Sequence, residues 1–215
     1  MIDSTADLTE NKIQDKGVAG IILAAGRAYR MGRLKQLLPF RGKPLLAHTL
    51  AHGAAAGFSP LILVLGCGRK RIQEALPDPP AEIVFNPAWE SGIASSIAAG
   101  IAHIEKKAPP AAGAFFLLGD QPLVSTVLLD TLLDRALEHP DRIIIPTYRG
   151  KRGNPVYFPR AFFDSLKKLS GDRGGSQIFH QFPGAILEVP ATAEGICRDI
   201  DTPEDYDSLC GPEDL

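Results

Sequence analysis

Val18 to Lys35 reads VAGIILAAGRAYRMGRLK. Val18, Ile21, Ile22 and Leu23 form a short apolar run, rich in β-branched residues and too short to span a membrane, which predicts a buried strand. The run breaks into Ala24, Ala25 and Gly26, small residues that let backbone come close to a ligand. Arg27, Arg30, Arg33 and Lys35 follow, with Gly32 as a second flexible point. A buried strand feeding a small-residue, cationic loop suits an anionic ligand such as a triphosphate. Backbone N–H groups line such a loop, and long cations neutralise the phosphates. Neither G-x-x-x-x-G-K-[ST] nor G-x-G-x-x-G can be read here, so the stretch is not a P-loop or a dinucleotide fingerprint. The alternative is a surface turn with solvated basic residues.

Around this stretch, 215 residues fit one α/β domain with a sizeable core. Residues 1–17 read as a flexible N-terminal extension, polar and without the apolar segment of a signal peptide, and 18–215 as the domain. A net charge of −2 gives no overall basic field, which argues against nucleic acid as the main partner. No run is long enough for a membrane span. Cys67, Cys197 and Cys210 are odd in number and widely spaced. That pattern fits a reducing, cytoplasmic setting and offers neither a zinc nor a disulfide framework.

Further along, Gly42-Lys43-Pro44 predicts a helix start and Gly57 its stop. Strands are expected at Leu61 to Leu65, Ile83 to Phe85, Ala114 to Leu118 and Arg142 to Ile145. Helices are expected over Arg69 to Leu76, Ile93 to Ile104 and Leu123 to Leu137. This alternation predicts a mostly parallel sheet covered on both faces, a single Rossmann-like domain. After Ile145 the pattern changes. A cationic turn, Arg149 to Pro155, precedes a short strand at Val156 to Phe158, a helix over Arg160 to Leu169 and a strand near Ile186 to Val189. A small antiparallel excursion covering the substrate is expected in this C-terminal third. Thr202-Pro203 is a strong helix start, with Thr202 as cap.

Several residues could carry chemistry. Asp120 sits at the carboxyl end of a predicted strand, where open α/β sheets place their ligands. Its carboxylate suits Mg²⁺, or else it caps the following helix. Asp199 and Asp201 stand two apart and would share a strand face, either as metal ligands or as a charged pair before a helix. Ser91, Ser95 and Ser96 precede or open a helix, where hydroxyls donate to phosphate or simply cap. Arg152-Gly153-Asn154 is a turn with solvated charge or a contact surface. The five histidines read as structural or surface groups, since the His48–His52 pair lacks a third ligand.

LAAGRAYRMGRLKQLLPFRGKPLL resembles the signature of the MobA-like nucleotidyltransferases, and most closely that of the molybdenum cofactor cytidylyltransferases. The similarity runs from about Val18 to Leu209. The resemblance implies nucleotide contacts from Leu23, Ala24, Ala25, Gly26, Arg30, Lys35, Ser95 and Gly119, with Lys35 and Arg30 on the phosphates. It implies Mg²⁺ on Asp120, within GDQP, and on Asp201, within DIDTPED, with Asp199 a weaker candidate. Lys35, Arg30 and Asp120 would be the catalytic set, and Arg152, Gly153 and Asn154 would face the acceptor. LAAG, where guanylyl-transferring relatives tend to read LAGG, leans toward CTP. The implied reaction moves CMP from CTP to the phosphate of a molybdopterin-type acceptor. The product would pass to a molybdenum hydroxylase apoenzyme or its chaperone. The alternatives are a GTP-dependent guanylyltransferase, transfer to another small phosphate acceptor, and a non-catalytic cofactor-binding chaperone.

Overall fold

The computed structural model describes residues 17–27, 31–107, 109–192 and 194–210. Arg30, and all of the expected N-terminal extension except Gly17, lie outside the described residues. The first half of the chain forms β1 (Val18–Ala24), β2 (Pro39–Phe40), β3 (Lys43–Pro44), α1 (Leu45–Ala55), β4 (Leu61–Leu65), α2 (Arg69–Ala75), β5 (Glu82–Phe85) and α3 (Ile93–Ile104). The second half adds β6 (Gly113–Leu118), α4 (Thr126–Glu138), β7 (Ile143–Tyr148), β8 (Lys151–Arg152) and β9 (Val156–Pro159). It closes with α5 (Phe163–Lys167), α6 (Ser176–Gln181), β10 (Ile186–Pro190) and α7 (Pro203–Leu209).

β1 lies in the interior of the sheet because both of its faces are apolar. Val18, Ile22 and Ala24 join one core with Leu46 and Leu50 of α1 and Leu129, Leu132 and Leu133 of α4. Ala19 and Ile21 join the opposite core with Ile97, Ile101 and Ile104 of α3 and Phe163 and Leu166 of α5. That is the two-residue period of a strand buried on both sides. Full burial of a Leu or Ile side chain is worth about 1.5–3 kcal/mol. The apolar face of α3, more than its intrinsic propensity, therefore holds this helix on the sheet.

The sheet order is β10-β7-β9-β6-β1-β4-β5, with β8 pairing to β7. β1 is parallel to β4 and β6, β4 to β5, and β10 to β7. β9 runs antiparallel between β6 and β7. The mostly parallel sheet and its antiparallel excursion in the C-terminal third agree with the expectation from sequence. The excursion is a buried strand of the sheet itself, with all four residues of β9 buried.

Short elements differ from the sequence reading. β2 and β3 form a separate two-residue antiparallel pair, and α6 occupies residues to which the sequence reading assigned no element. α4 starts at Thr126, three residues after the expected position, where the Ser125 hydroxyl accepts from Leu128 N at 3.3 Å. Because β1 and β6 are neighbours with Leu23 opposite Leu118, the segments that follow them, Ala25-Gly26 and Gly119-Asp120, emerge side by side.

Candidate active site

At these two strand ends lies a cavity of about 660 Å³. Leu23, Ala24, Ala25 and Gly26 line it from β1, and Leu118, Gly119 and Asp120 from β6. Lys35 and Gln36 enter from the turn after the glycine-rich loop, and Gly92, Ile93 and Ser96 from the start of α3. Trp89, Glu90, Asp172, Asp199, Asp201 and Arg27 complete the wall.

The loop after β1 is held by hydrogen bonds at each step. Gly119 N donates to Leu23 O (3.0 Å) and Cys67 N to Ala25 O (3.0 Å). Gln36, which is 2 % exposed, donates from Nε2 to both Ala24 O and Gly26 O at 3.1 Å. One amide side chain thus sets the curvature of the loop and ties it to the Lys35–Leu37 turn. A side chain at Gly26 would meet nothing within 4 Å, so internal packing does not explain the glycine. It leaves the backbone bare toward the cavity, as a close ligand approach requires.

Three acids and one ammonium gather across from this loop. Lys35 Nζ donates to Asp201 Oδ1 at 2.9 Å and pairs still more closely with Asp120 Oδ2. Burial alone lowers the Lys35 pKa, but the Asp120 charge and the hydrogen bonds to Asp120 and Asp201 outweigh it, and the net direction is up. Desolvation, followed by the Asp120 charge, pushes the Asp199 carboxyl up, although the residue as a whole remains exposed. Gln121, 1 % exposed, donates to Asp199 Oδ1 and to Ile196 O (3.3 Å), joining the strand end of Asp120 to the segment that carries Asp199.

The cap reading of Asp120 fails. Asp120 does not cap α4, since Ser125 does. Asp201 is not needed at the start of α7, because Thr202 and Asp205 form a reciprocal capping box there. Asp205 Oδ2 also accepts from Asp201 N at 3.1 Å, which fixes the backbone of the acid beside Lys35.

Among the described residues no cluster of three or more His, Cys, Asp or Glu is arranged to hold a metal ion. Mg²⁺ does not need such a cage: one or two carboxylates plus substrate phosphates satisfy it. Asp120 and Asp201 are hard oxygen donors, and the ammonium between them shows that the pair takes a cation. The residues present fit the metal.

Of the residues singled out from sequence, Leu23, Ala24, Ala25, Gly26, Lys35, Gly119, Asp120, Asp199 and Asp201 come together in the cavity wall. Lys35, expected on phosphates, lies between the two carboxylates. Ser95 is not in the wall: its hydroxyl donates to Ala88 O (2.9 Å) or Gly92 O (2.8 Å) and accepts from Asn86 Nδ2 (2.8 Å). Ser96 does line it, and Ser91 is not the cap of α3, a position taken by Gly92.

Arg152, Gly153 and Asn154 also lie outside the wall. Arg152 Nη2 pairs with Glu188 at 2.7 Å, and Asn154 N donates to Ile196 O at 2.9 Å. A Cβ at Gly153 would stand 2.3 Å from that same carbonyl, so only glycine lets the two segments meet. Among the histidines, His48 Nε2 donates to Phe40 O (2.7 Å), His52 Nδ1 faces Thr126 Oγ1 (3.1 Å) and His103 Nε2 pairs with Glu82 (2.8 Å).

Sequence reasoning did not single out Gln36, Gln121 or Asp172. Asp172 belongs to the loop before α6, whose Gly171 passes so close to Gly92 that a Cβ there would lie 2.4 Å away. Its Oδ1 accepts from Ile93 N at 3.3 Å. For Asp172 the signal was the glycines of GDRGGS and ESGI.

Residues 20–186 match the MobA-like NTP transferase domain. The chain belongs to this family. A nucleotidyltransferase-type reaction comes with that membership. Purine catabolism protein PucB of Bacillus subtilis is 30% identical over 201 residues, covering 88% of this chain and 94% of the relative. Nicotine blue oxidoreductase of Paenarthrobacter nicotinovorans is also 30% identical, over 87% of this chain and 93% of its own. Among solved structures, Rv0371c of Mycobacterium tuberculosis superposes with a TM-score of 0.78 at 30% identity, over 89% of this chain and 96% of that one. A complex of the same mycobacterial protein with manganese gives a TM-score of 0.74 at 30% identity, over 89% and 97%. Among the described residues of this MobA-like protein, no helix is long and apolar enough to cross a membrane.

Proposed function

We propose that this MobA-like protein transfers CMP from CTP to the phosphate of a molybdopterin-type acceptor, in a Mg²⁺-dependent reaction that releases pyrophosphate. The observation that carries the nucleotidyl transfer is the Asp120–Lys35–Asp201 cluster facing the bare Ala24–Gly26 backbone within one cavity. A phosphate oxygen of the acceptor attacks the α-phosphorus. The bond from that phosphorus to the bridging oxygen of the β-phosphate breaks, and its electrons leave with pyrophosphate. Nucleophile and leaving group are both anions, so no proton has to move. Positioning and charge neutralisation supply the acceleration.

Ala24, Ala25 and Gly26 carry the base and ribose along bare backbone. Lys35, together with Arg30, neutralises the phosphates, and an ammonium suits this role as a mobile point charge. Asp120 and Asp201 would hold Mg²⁺, which when bound supplies further neutralisation of phosphate oxygens. The manganese complex of Rv0371c supports a divalent ion in a protein of this similarity. Arg152-Gly153-Asn154 acts as a brace for the acid-bearing segment, through Ile196, rather than as a grip on the acceptor.

CTP is favoured by Ala25, whose methyl narrows the loop beside the base, and by the resemblance to the cytidylyl branch. The acceptor rests on that resemblance, since the relatives' names, purine catabolism and nicotine blue oxidoreductase, point to no common one. The test is pyrophosphate release from a panel of nucleoside triphosphates, each with molybdenum-loaded pterin and with sugar or polyol phosphates. CTP with the pterin should react fastest. Faster use of GTP with the same pterin overturns the cytidylyl assignment, and faster use of a sugar phosphate overturns the acceptor. Tight pterin binding with no pyrophosphate released would make the protein a cofactor chaperone.

A further inference from the structure

The Lys35 ammonium bridges the same two carboxylates that are assigned to the metal, and it is well placed to stay there. The Lys35 and Asp120 side chains are only 16 % and 14 % exposed, while Asp201 is 52 % exposed. Lys35 stands on a turn whose next residue, Gln36, is anchored to Ala24 O and Gly26 O, so the start of the side chain is fixed relative to the loop. Mg²⁺ bonds to oxygen at about 2.0–2.1 Å. An ammonium within hydrogen-bonding reach of the same oxygens would face a divalent charge at close range, a strong repulsion where water screens poorly.

We infer that Lys35 is a resident counter-ion of the Asp120–Asp201 pair, so that metal alone is excluded and metal and nucleoside triphosphate enter together. The inference rests on the reading that this pair holds the metal. Free Mg²⁺ has to displace the ammonium from both carboxylates and brings no anion to receive it. A triphosphate provides that anion, and Lys35 exchanges its carboxylate partners for phosphate oxygens as the metal takes its place. Metal and nucleotide therefore bind with positive coupling, and by linkage each raises the affinity of the other equally. The device keeps the pair neutralised between turnovers and spares the site from occupation by stray divalent ions.

Binding of Mn²⁺ alone, followed by loss of its free-ion paramagnetic resonance signal, tests this on the intact chain. Lys35→Met should bind Mn²⁺ at least about tenfold tighter than the unmodified protein, a gain of about 1.4 kcal/mol. The double variant Lys35→Met/Asp120→Asn should lose that gain. Equal or weaker binding by Lys35→Met, with still weaker binding by the double variant, overturns the counter-ion while leaving the metal reading intact. If Asp120→Asn changes nothing in the Lys35→Met background, the metal reading fails and the inference fails with it. Should Lys35→Met not fold, the unmodified chain labelled at lysine Cε decides, with the Lys35 signal assigned through Lys35→Arg. That signal should shift on adding Mg²⁺ and CTP together, and much less with Mg²⁺ alone. A signal that saturating Mg²⁺ and CTP leave unmoved overturns the inference.

Discussion

Asp120 differs from the other acids of the cavity in where its backbone comes from. It follows the buried strand β6, whose apolar side chains are packed on both faces, so its backbone is anchored in the core of the sheet. Asp201 stands on an irregular segment and is half exposed. Asp120→Ala should therefore cut turnover by about 10²-fold or more, the usual size for removing one electrostatic group at a reacting phosphate. Asp201→Ala should do less harm, because water and substrate phosphate can fill part of a magnesium shell. Steady-state rates alongside thermal melts check this. Near-normal turnover in folded Asp120→Ala removes that residue from the site.

Among the elements, α7 serves the site through its first turn. Thr202 Oγ1 accepts from Asp205 N (3.2 Å), and Asp205 Oδ2 in return accepts from Thr202 N (2.8 Å) and Asp201 N (3.1 Å). Thr202→Ala removes the cap and should cost about 1 kcal/mol, the typical value for such a change. It should also raise the metal concentration needed for half-maximal rate, because Asp201 loses the box that orients its backbone. Urea unfolding measures the first effect and a metal titration of the rate the second. A stability loss with an unchanged metal requirement would mean that the cap holds only the helix.

At the scale of the whole molecule, the excursion between β7 and β10 reaches the cavity indirectly. Gly153 meets the backbone of Ile196, whose carbonyl accepts from Asn154 N and from Gln121, and Gln121 also holds Asp199. Gly153→Ala should destabilise by about 1–3 kcal/mol, as overpacking does, and lower turnover although residue 153 touches no part of the cavity wall. Arg152→Ala breaks an exposed pair and should stay within about 1 kcal/mol with an unchanged acceptor KM. A raised acceptor KM in a stable Arg152→Ala protein would return that arginine to the acceptor site.

Stability should also respond to pH through the contact of α1 with α4. Burial, and then the neighbouring His48, lower the pKa of His52 below its ordinary 6.5. The unfolded chain then takes up a proton more readily than the folded one. This contribution is fully present above about pH 6.5 and is lost as pH falls through the folded value. Urea midpoints at pH 7.5 and 5.5 should fall less for His52→Gln than for the unmodified protein, and equal falls would clear His52 of the effect.

The sequence alone determined the elements whose pattern is self-contained. Leu61–Leu65 and Ile93–Ile104 were legible to the residue, because a continuous apolar run or isoleucines three and four residues apart need no partner to be read. Thr202-Pro203 was legible for the same reason, as a cap acts within one turn. The glycine-rich loop and Asp120 were legible as candidates by residue type and position after a strand, and Asp201 through the resemblance carried by DIDTPED.

Only the tertiary structure decided what they touch. Lys35 and Asp201 are 166 positions apart, and no local pattern could pair them. Gln36 in a three-residue turn, the two-residue strands β2 and β3, and α6 with its single buried Ile178 carry too few residues to show a period. Their stability comes from neighbours supplied by the rest of the fold, because so short an element cannot offset its own ordering entropy. The charge balance of the cavity follows the same logic. Its acids arrive from strand ends and loops far apart in the chain, and only their convergence makes an ammonium between two carboxylates favourable.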